Sequence, residues 1–318
     1  MKIFILYPNQ LFKNISNFVD KRVLLVEEPL FFDKYSFDED NRKKLQKDIK
    51  IPPTLAFENE FVKEKFENFG FYQDAITKDT KQSFLFHSNI SSSLNIGLID
   101  LNELIEKIVN SQAPYNAKEG FIRQIIGWRE FMLRVYEDDG ILLRNSNFFE
   151  FKNPILKKII EAKSGIQILD DSIKKLELTA YNHHIERLMI LGNIFLLLEI
   201  KPNEVYEFFM KNYIDAYDWV MVGNVYGMSG FSDGGSITTK PYIASSNYLL
   251  KMSDYSKESW CEILDSLYWR FLHKYSFKFE KNPRMKMQIA LLNKMPKEKL
   301  ENHLLVAKKF IDDIFITN

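Results

Sequence analysis

The stretch AYNHHIERLMILGNIFLLLEI, residues 180–200, is the strongest indication of how this chain folds. Its apolar residues recur at three- and four-residue spacing, which is typical of one face of an α-helix. The same spacing appears in further segments along the chain, at 56–69, 100–111, 119–137, 154–163, 203–213, 258–280 and 297–315. The sequence therefore predicts a mainly α-helical fold.

The N-terminal region has a different pattern. Residues 3–7 (IFILY) and 23–26 (VLLV) predict two short buried strands, and the charged stretch 38–50 predicts a linker. Two strands are too few to form an independent sheet domain. We therefore expect a truncated α/β remnant at 1–55 in front of a helical domain at 56–318.

Composition excludes several classes of protein. The hydrophobic content of 46% is enough for a large core, which excludes a disordered chain. The 43 basic residues balance 43 acidic ones, which excludes a uniformly cationic protein that coats nucleic acid. A local excess remains at 270–318, with 11 Lys/Arg against 5 Asp/Glu. That excess predicts either a phosphate-contacting surface or a solvated helical face.

Cys261 is the only cysteine in the sequence. One thiol excludes a disulfide within the chain, a cysteine-ligated zinc site and an iron–sulfur cluster. No run of 18 apolar residues predicts a membrane span, and the N-terminus lacks the features of a signal peptide. We therefore expect a cytoplasmic protein that is not inserted in a membrane.

Two polar segments indicate contacts with a bound ligand. The stretch 87–97 (HSNISSSLNIG) offers hydroxyl and amide groups that bind phosphate well, although an ordinary capping loop has the same composition. Within 119–137, Arg123, Gly127 and Glu130 share one helical stripe. A glycine in mid-helix indicates close approach of either a ligand or another helix.

His183 and His184 are adjacent in the predicted helix 180–200, with Arg187 three residues after His184. Adjacent side chains on a helix point about 100° apart, so we expect no metal site from this pair. Proton transfer beside a bound ligand suits a histidine, whose pKa lies near neutrality. A buried structural histidine is the alternative.

The segment DAYDWVMVGNVYGMSGFSDGG, residues 215–235, is rich in glycine, aspartate and aromatic residues. From residue 223 onward this segment falls in a long loop that we predict at 223–247, and a further loop is predicted at 140–147. A long glycine-rich loop in a helical protein costs free energy to order, which favours a ligand site here.

Eight segments in this order resemble the FAD-binding domain of the cryptochrome/photolyase superfamily. The greatest similarity is to the prokaryotic photolyase-related branch that repairs (6-4) photoproducts and normally carries an iron–sulfur cluster. The segments are FGFYQDAI (69–76), FHSNISSSLNIGLI (86–99), GFIRQIIGWREFM (120–132), AYNHHIERLMILGN (180–193), YIDAYDWVMVGNVYGMSGFSDGG (213–235), TKPYIASSNYLLKMSDY (239–255), SLYWRFL (266–272) and NPRM (282–285).

The resemblance implies a helical domain that holds FAD in a U-shape. The residues that it implies for the FAD phosphates and ribityl chain are Ser88, Asn89, Ile90, Ser91 and Arg129. Those that it implies around the rest of the cofactor are Tyr72, Asn193, Asn224, and Arg187 with Asp218 as an ion pair beside the isoalloxazine.

The resemblance also implies light-driven repair of UV-damaged DNA by a carbon–carbon lyase. The catalytic residues that it implies are His184 as proton donor, His183, Asn224 facing flavin N5, and Trp128 in the lesion pocket. Trp219 and Tyr217 are the predicted electron relay. The basic C-terminal residues expected to contact DNA phosphates are Arg270, Arg284 and Lys286.

Two features depart from that branch. Ser256 and Ser259 stand where it has cysteines, the region near Ser172 has no thiol, and Cys261 has no cysteine partners. We therefore expect FAD without an iron–sulfur cluster or any other metal. Compared with the family, we expect most of the N-terminal antenna domain to be absent and therefore no light-harvesting second chromophore, and we expect a monomer. A cryptochrome-like photoreceptor without repair activity is the alternative, and a light-independent FAD redox protein is a third interpretation.

Overall fold

The computed structural model describes residues 43–46 and 61–316, and these residues are mostly helical. The prediction of a mainly α fold is therefore confirmed. The predicted strands at 3–7 and 23–26 and the proposed domain boundary at residue 55 lie outside the described residues. In the described part of the chain, no helix has the length and apolar character needed to cross a membrane.

The α-helices, in chain order, have the following bounds: α1 Phe66–Tyr72, α2 Ser91–Asn95, α3 Leu101–Asn110, α4 Tyr115–Ile122, α5 Arg129–Arg144, α6 Lys157–Ile160, α7 Gln167–Thr179, α8 Asn193–Leu197, α9 Pro202–Asn212, α10 Asp218–Met221, α11 Ser246–Met252, α12 Ser259–Phe279, α13 Lys286–Asn293 and α14 Lys297–Ile316.

Wider π-helical turns interrupt or extend several of these helices. They are π1 (Phe61–Lys65) before α1, π2 (Arg123–Trp128) between α4 and α5, π3 (Glu186–Gly192) before α8, and π4 (Val222–Ser229) after α10. Such turns are often found at functional sites.

The predicted helix at 180–200 begins later than the periodicity indicates. Ala180 has a left-handed backbone (φ 53°) and ends α7, so Tyr181–His183 are not helical. The sequence analysis assigned no helix to α7 itself. Its buried face contains the polar residues Asp170, Ser172 and Lys175, which interrupt the apolar pattern that identifies a helix.

Two predicted loops are wrong in part. The chain stays helical through Arg144, so the loop predicted at 140–147 begins only after that residue. The chain from Asp218 to Ser229 is helical as well, although the part from Gly223 onward lies in the predicted loop 223–247. Its glycines allow close packing: a Cβ on Gly223 would lie 2.5 Å from Met132 Sδ.

The two largest of the apolar clusters in the described core are a large one and a smaller aromatic one. The large cluster is formed mainly by residues of α7–α9 and α11–α14. The smaller one includes Phe61, Phe66, Phe69 and Phe121, which join π1, α1 and α4 through ring contacts of 5.0–6.2 Å. Residues of both clusters line the cavity described below.

Gly70→Ala is expected to destabilise the protein. A Cβ at Gly70 would lie 2.5 Å from the backbone nitrogen of Ala117 in α4, so the two helices must separate. Overpacking of this kind costs about 1–3 kcal/mol, measurable as a loss of free energy of unfolding in urea. The control is Gly140→Ala, where the nearest atom is 3.4 Å away on the Tyr136 ring and a small gain is expected. Equal stability of the two variants would contradict this account.

Candidate functional site

A cavity of about 440 Å³ lies between α2, the π-helical segments π2, π3 and π4, and the loops that flank them. Its volume is in the range of small-molecule and cofactor sites. The wall combines apolar side chains with a few polar and charged groups that converge from distant parts of the sequence.

The structure brings most of the predicted site residues to this one cavity. Those that line it are Ser88, Asn89, Ile90, Ser91, Trp128, Arg129, His184, Arg187, Trp219 and Asn224. Other predicted residues lie outside its wall, namely Tyr72, His183, Asn193, Tyr217, Asp218, Arg270, Arg284 and Lys286.

Arg187 forms its ion pair with Asp215, not with Asp218 as predicted. Its Nη1 and Nη2 donate to the two carboxylate oxygens of Asp215 at 2.9 and 3.1 Å, and its Nε donates to the backbone oxygen of Asn182 at 2.6 Å. Burial alone would raise the pKa of Asp215, but the guanidinium outweighs it and holds that pKa below its ordinary value. The cavity wall therefore has a fixed pair of opposite charges.

Asp218 faces away from the cavity. It accepts hydrogen bonds from Tyr136 at 2.7 Å, from Tyr206 and from Arg144, and its side chain is 39% exposed. The reason is helical geometry: Asp218 begins α10, and adjacent side chains there diverge by about 100°, so Trp219 borders the cavity instead. The prediction of an Arg187–Asp218 pair was wrong.

The Ser-rich segment is tied to that ion pair. Ser91 Oγ donates to Asp215 Oδ2 at 2.8 Å, and Arg129 Nη1 donates to Asn95 Oδ1 at 2.5 Å. Asn95 is a neutral amide, so this contact orients Arg129 without cancelling its positive charge. Hydroxyl, amide and guanidinium donors thus share one end of the cavity, where they suit an anionic ligand.

Trp128 and Asn224 also meet at the cavity. Trp128 Nε1 donates to Asn224 Oδ1 at 3.2 Å, and Asn224 Nδ2 donates to the backbone oxygen of Val220 at 2.8 Å. These two bonds fix the orientation of the Asn224 amide. The Arg129 guanidinium lies 4.8 Å from the ring centroid of Trp219, a cation–π contact on the same wall.

The two predicted histidines have different surroundings. His184 lines the cavity, its side chain is 41% exposed, and its Nε2 lies 3.0 Å from Asp74 Oδ1. His183 is buried behind it, with Nε2 3.7 Å from Glu186 Oε2. Because His183 precedes the helix, the helical geometry assumed in the sequence analysis does not apply to this pair.

Tyr72 and Asn193 have structural contacts instead of cavity positions. The Tyr72 ring lies 5.4 Å from that of Phe86. The Asn193 side chain donates to the backbone oxygen of Ala244 and accepts from its nitrogen, both at 3.0 Å. Asn193 thereby joins α8 to the segment before α11.

The basic C-terminal residues differ in their freedom to contact a partner. Arg270 lies 2.9 Å from Glu199 and is largely covered. Arg284 and Lys286 are exposed, at the turn that leads into α13. Cys261 is buried and carries a free thiol.

Several residues of the site were not among the site residues predicted from the sequence. Asp215, Asn95, Gln124, Tyr242 and His87 line the cavity, and Asp74 contacts it through His184. Each lies inside a segment that carried the family resemblance, which was the available signal. Their order along the chain could not show which side chains face inward.

Sequence comparison gives three relatives. The chain is 38% identical over 253 residues to a (6-4) photolyase of Agrobacterium fabrum, an alignment that covers 75% of this chain and 49% of that protein. It is 50% identical over 93 residues to an uncharacterized protein of Acanthamoeba polyphaga mimivirus, covering 29% of this chain and 76% of that protein. A second uncharacterized protein of the same virus is 34% identical over 110 residues, 32% of this chain and 80% of that protein.

The chain therefore spans about half the length of the bacterial relative. No family model matches the sequence.

Proposed function

Because the chain belongs to the (6-4) branch of the photolyase/cryptochrome superfamily, we propose that it binds FAD and uses light to repair UV-damaged DNA, with (6-4) photoproducts as its substrate. The observation that carries this proposal is the convergence on one cavity of the Ser88–Ser91 loop, Arg129, the Arg187–Asp215 pair and His184.

The cavity fits FAD in its chemistry. Ser88, Asn89 and Ser91 would contact the phosphates and ribityl chain, together with Arg129, whose charge is oriented by Asn95. The buried Arg187–Asp215 pair supplies fixed charges for the isoalloxazine ring. In this family, bound and reduced FAD supplies an electron when it absorbs blue or near-UV light.

The chain's own residues position and protonate the lesion. His184 is partly exposed at the cavity, where a flipped-out base can reach it, and Asp74 orients its ring through the 3.0 Å contact. We assign the donated proton to His184, while Trp128 provides an apolar wall for the extruded bases. Arg284 and Lys286 are exposed and would contact the DNA backbone with salt-dependent affinity.

The proposal is tested with protein purified in the dark. We expect one non-covalent FAD per chain after heat release and no stoichiometric iron. Reduced protein illuminated with oligonucleotides that contain a (6-4) photoproduct should restore the two thymines, measured by chromatography, with an unilluminated sample as control. FAD binding without repair of either a (6-4) photoproduct or a cyclobutane dimer would indicate a photoreceptor. Colourless protein would refute the proposal.

Trp219→Phe is expected to slow photoreduction of oxidised FAD several-fold. Trp219 is the predicted relay residue that borders the cavity, whereas Tyr217 lies outside the wall. A phenylalanine keeps an aromatic ring at this position but is harder to oxidise. FAD content and repair by chemically reduced enzyme should remain close to wild type, which separates the relay from binding. Photoreduction at the wild-type rate, followed by flash absorption, would exclude Trp219 and direct the same test to Tyr217.

A further inference from the structure

Three histidines form a cluster beside the cavity: His87 before α2, and His183 and His184 before π3. Each offers a ring nitrogen within 4.8 Å of the other two. The ring centroids are 4.8, 5.7 and 5.9 Å apart. His87 and His184 line the cavity, and the proposed repair reaction uses neither His87 nor His183.

The two buried histidines have nitrogens without hydrogen-bond partners among the described residues. These are Nε2 of His87 and both ring nitrogens of His183, one of which approaches the backbone of Ala75 without good hydrogen-bond geometry. Leaving a buried polar group without a partner costs about 1–3 kcal/mol, and such groups indicate an ordered water or an ion. Burial lowers the pKa of both histidines well below its ordinary value.

Carboxylates lie behind two of the three rings. His184 Nε2 is 3.0 Å from Asp74 Oδ1, and His183 Nε2 is 3.7 Å from Glu186 Oε2. Histidines that bind a metal commonly donate their second N–H to a carboxylate in this way, which orients the ring and leaves the other nitrogen for the metal. In His184 that nitrogen is Nδ1. The 3.7 Å between His183 and Glu186 is too long for a hydrogen bond, so either ring nitrogen of His183 is available.

We propose that His87, His183 and His184 form a binding site for one divalent transition-metal ion of the Zn²⁺ type. Three histidine ligands with a fourth position open to a cavity are a known arrangement for zinc. Tetrahedral zinc, with bonds of about 2.0–2.1 Å, needs ligand nitrogens roughly 3.3 Å apart, so the rings must move by about 1 Å. Because the His87 and His183 rings are stacked within 8° of parallel, one of them must also rotate to point its nitrogen at the ion. The partly exposed His184 has room for such a movement.

The positive charges nearby do not prevent cation binding. Arg187 is paired with Asp215, and Lys175 is paired with Glu186. Lys65, which also acts on His87, donates to the backbone oxygen of Leu85 at 2.8 Å. Asp74 adds a further carboxylate beside His184.

Metal binding is tested by zinc titration of the EDTA-treated, full-length protein against the chromophoric chelator 4-(2-pyridylazo)resorcinol. We expect one Zn²⁺ per chain, and His87→Ala should weaken binding by roughly 10–100-fold. The control His273→Ala removes an exposed histidine outside the cluster and should leave binding unchanged. If His87→Ala fails to fold, as judged by circular dichroism, His87→Gln takes its place. The absence of stoichiometric zinc, or equal affinities of the His87 and His273 variants, would overturn the site.

Zinc bound at His184 would occupy the group that gives the proton, so it should inhibit repair, a consequence that rests on the proposed function. We expect added Zn²⁺ to suppress repair by wild-type protein and EDTA to restore it. Full repair at saturating Zn²⁺ would refute this inhibitory role. Absence of repair in the metal-free protein would instead refute the proposed function, while the zinc titration would still decide whether the metal site exists.

Discussion

Asp215→Ala is expected to yield protein that has lost most of its FAD and unfolds at lower denaturant concentration. Asp215 and Arg187 form a two-point ion pair whose side chains are only 10% and 17% exposed. Removing one partner of a buried pair leaves an uncompensated charge, which costs about 3–5 kcal/mol. The same change also removes the acceptor that holds Ser91. The measurements are FAD absorbance per chain and urea unfolding.

Asp218→Ala is the matched control, because it also replaces an aspartate by alanine, three residues further along the chain. Asp218 and its partner Arg144 are 39% and 35% exposed, and exposed pairs contribute about 0–1 kcal/mol. This variant should keep its FAD and most of its stability. Equal losses in the two variants would contradict the assignment of the ion pair at the cavity to Asp215.

At acidic pH, the free energies of unfolding of wild type and Asp215→Ala should become similar. The pKa of Asp215 is lowered in the folded protein. The stabilisation is therefore complete above the ordinary carboxyl pKa of about 3.9 and is lost as the pH falls through the lowered folded value. The difference in free energy of unfolding between wild type and Asp215→Ala should be constant near neutral pH and should decrease only at acidic pH.

The helices that the sequence predicts best are those whose buried face is almost purely apolar. α3, α9, α12 and α14 begin and end within about two residues of the predicted segments. α7 was missed because its buried face contains a lysine and an aspartate, which are satisfied only by tertiary partners: Lys175 bonds to Glu186, and Asp170 to Ser164. The three- and four-residue spacing of apolar residues cannot identify a buried face that contains charged side chains.

The site was predicted at the level of segments and less well at the level of side chains. The resemblance brought the correct segments together, but it could not decide between two aspartates three residues apart. That choice depends on where α10 begins: Asp215 lies before the helix and turns inward, whereas Asp218 is its first residue. His87 and Asp74 gain their significance only from contacts with His183 and His184, which lie about 100 residues away in the sequence.

His184→Ala is expected to reduce repair of (6-4) photoproducts by about 10²–10⁴-fold, the usual contribution of a general acid. His184 combines a position on the cavity wall, partial exposure to an incoming lesion, and a carboxylate that fixes its ring. Because His184 has no bond to the Arg187–Asp215 pair or the Ser-rich loop in the structure, FAD content should stay near wild type. The measurement is thymine restored per absorbed photon by chemically reduced enzyme.

Asp74→Asn provides the second arm of this prediction. Asparagine preserves the volume and one acceptor oxygen but removes the negative charge beside the His184 ring, which lies 3.0 Å away. Repair should therefore fall by less than in His184→Ala, and combining the two changes should add little to the effect of His184→Ala alone, because Asp74 acts through that ring. His273→Ala, an exposed histidine far along α12, should leave repair unchanged. Strictly additive losses in the double variant would show that Asp74 acts independently, and wild-type repair by His184→Ala would assign the proton to another group.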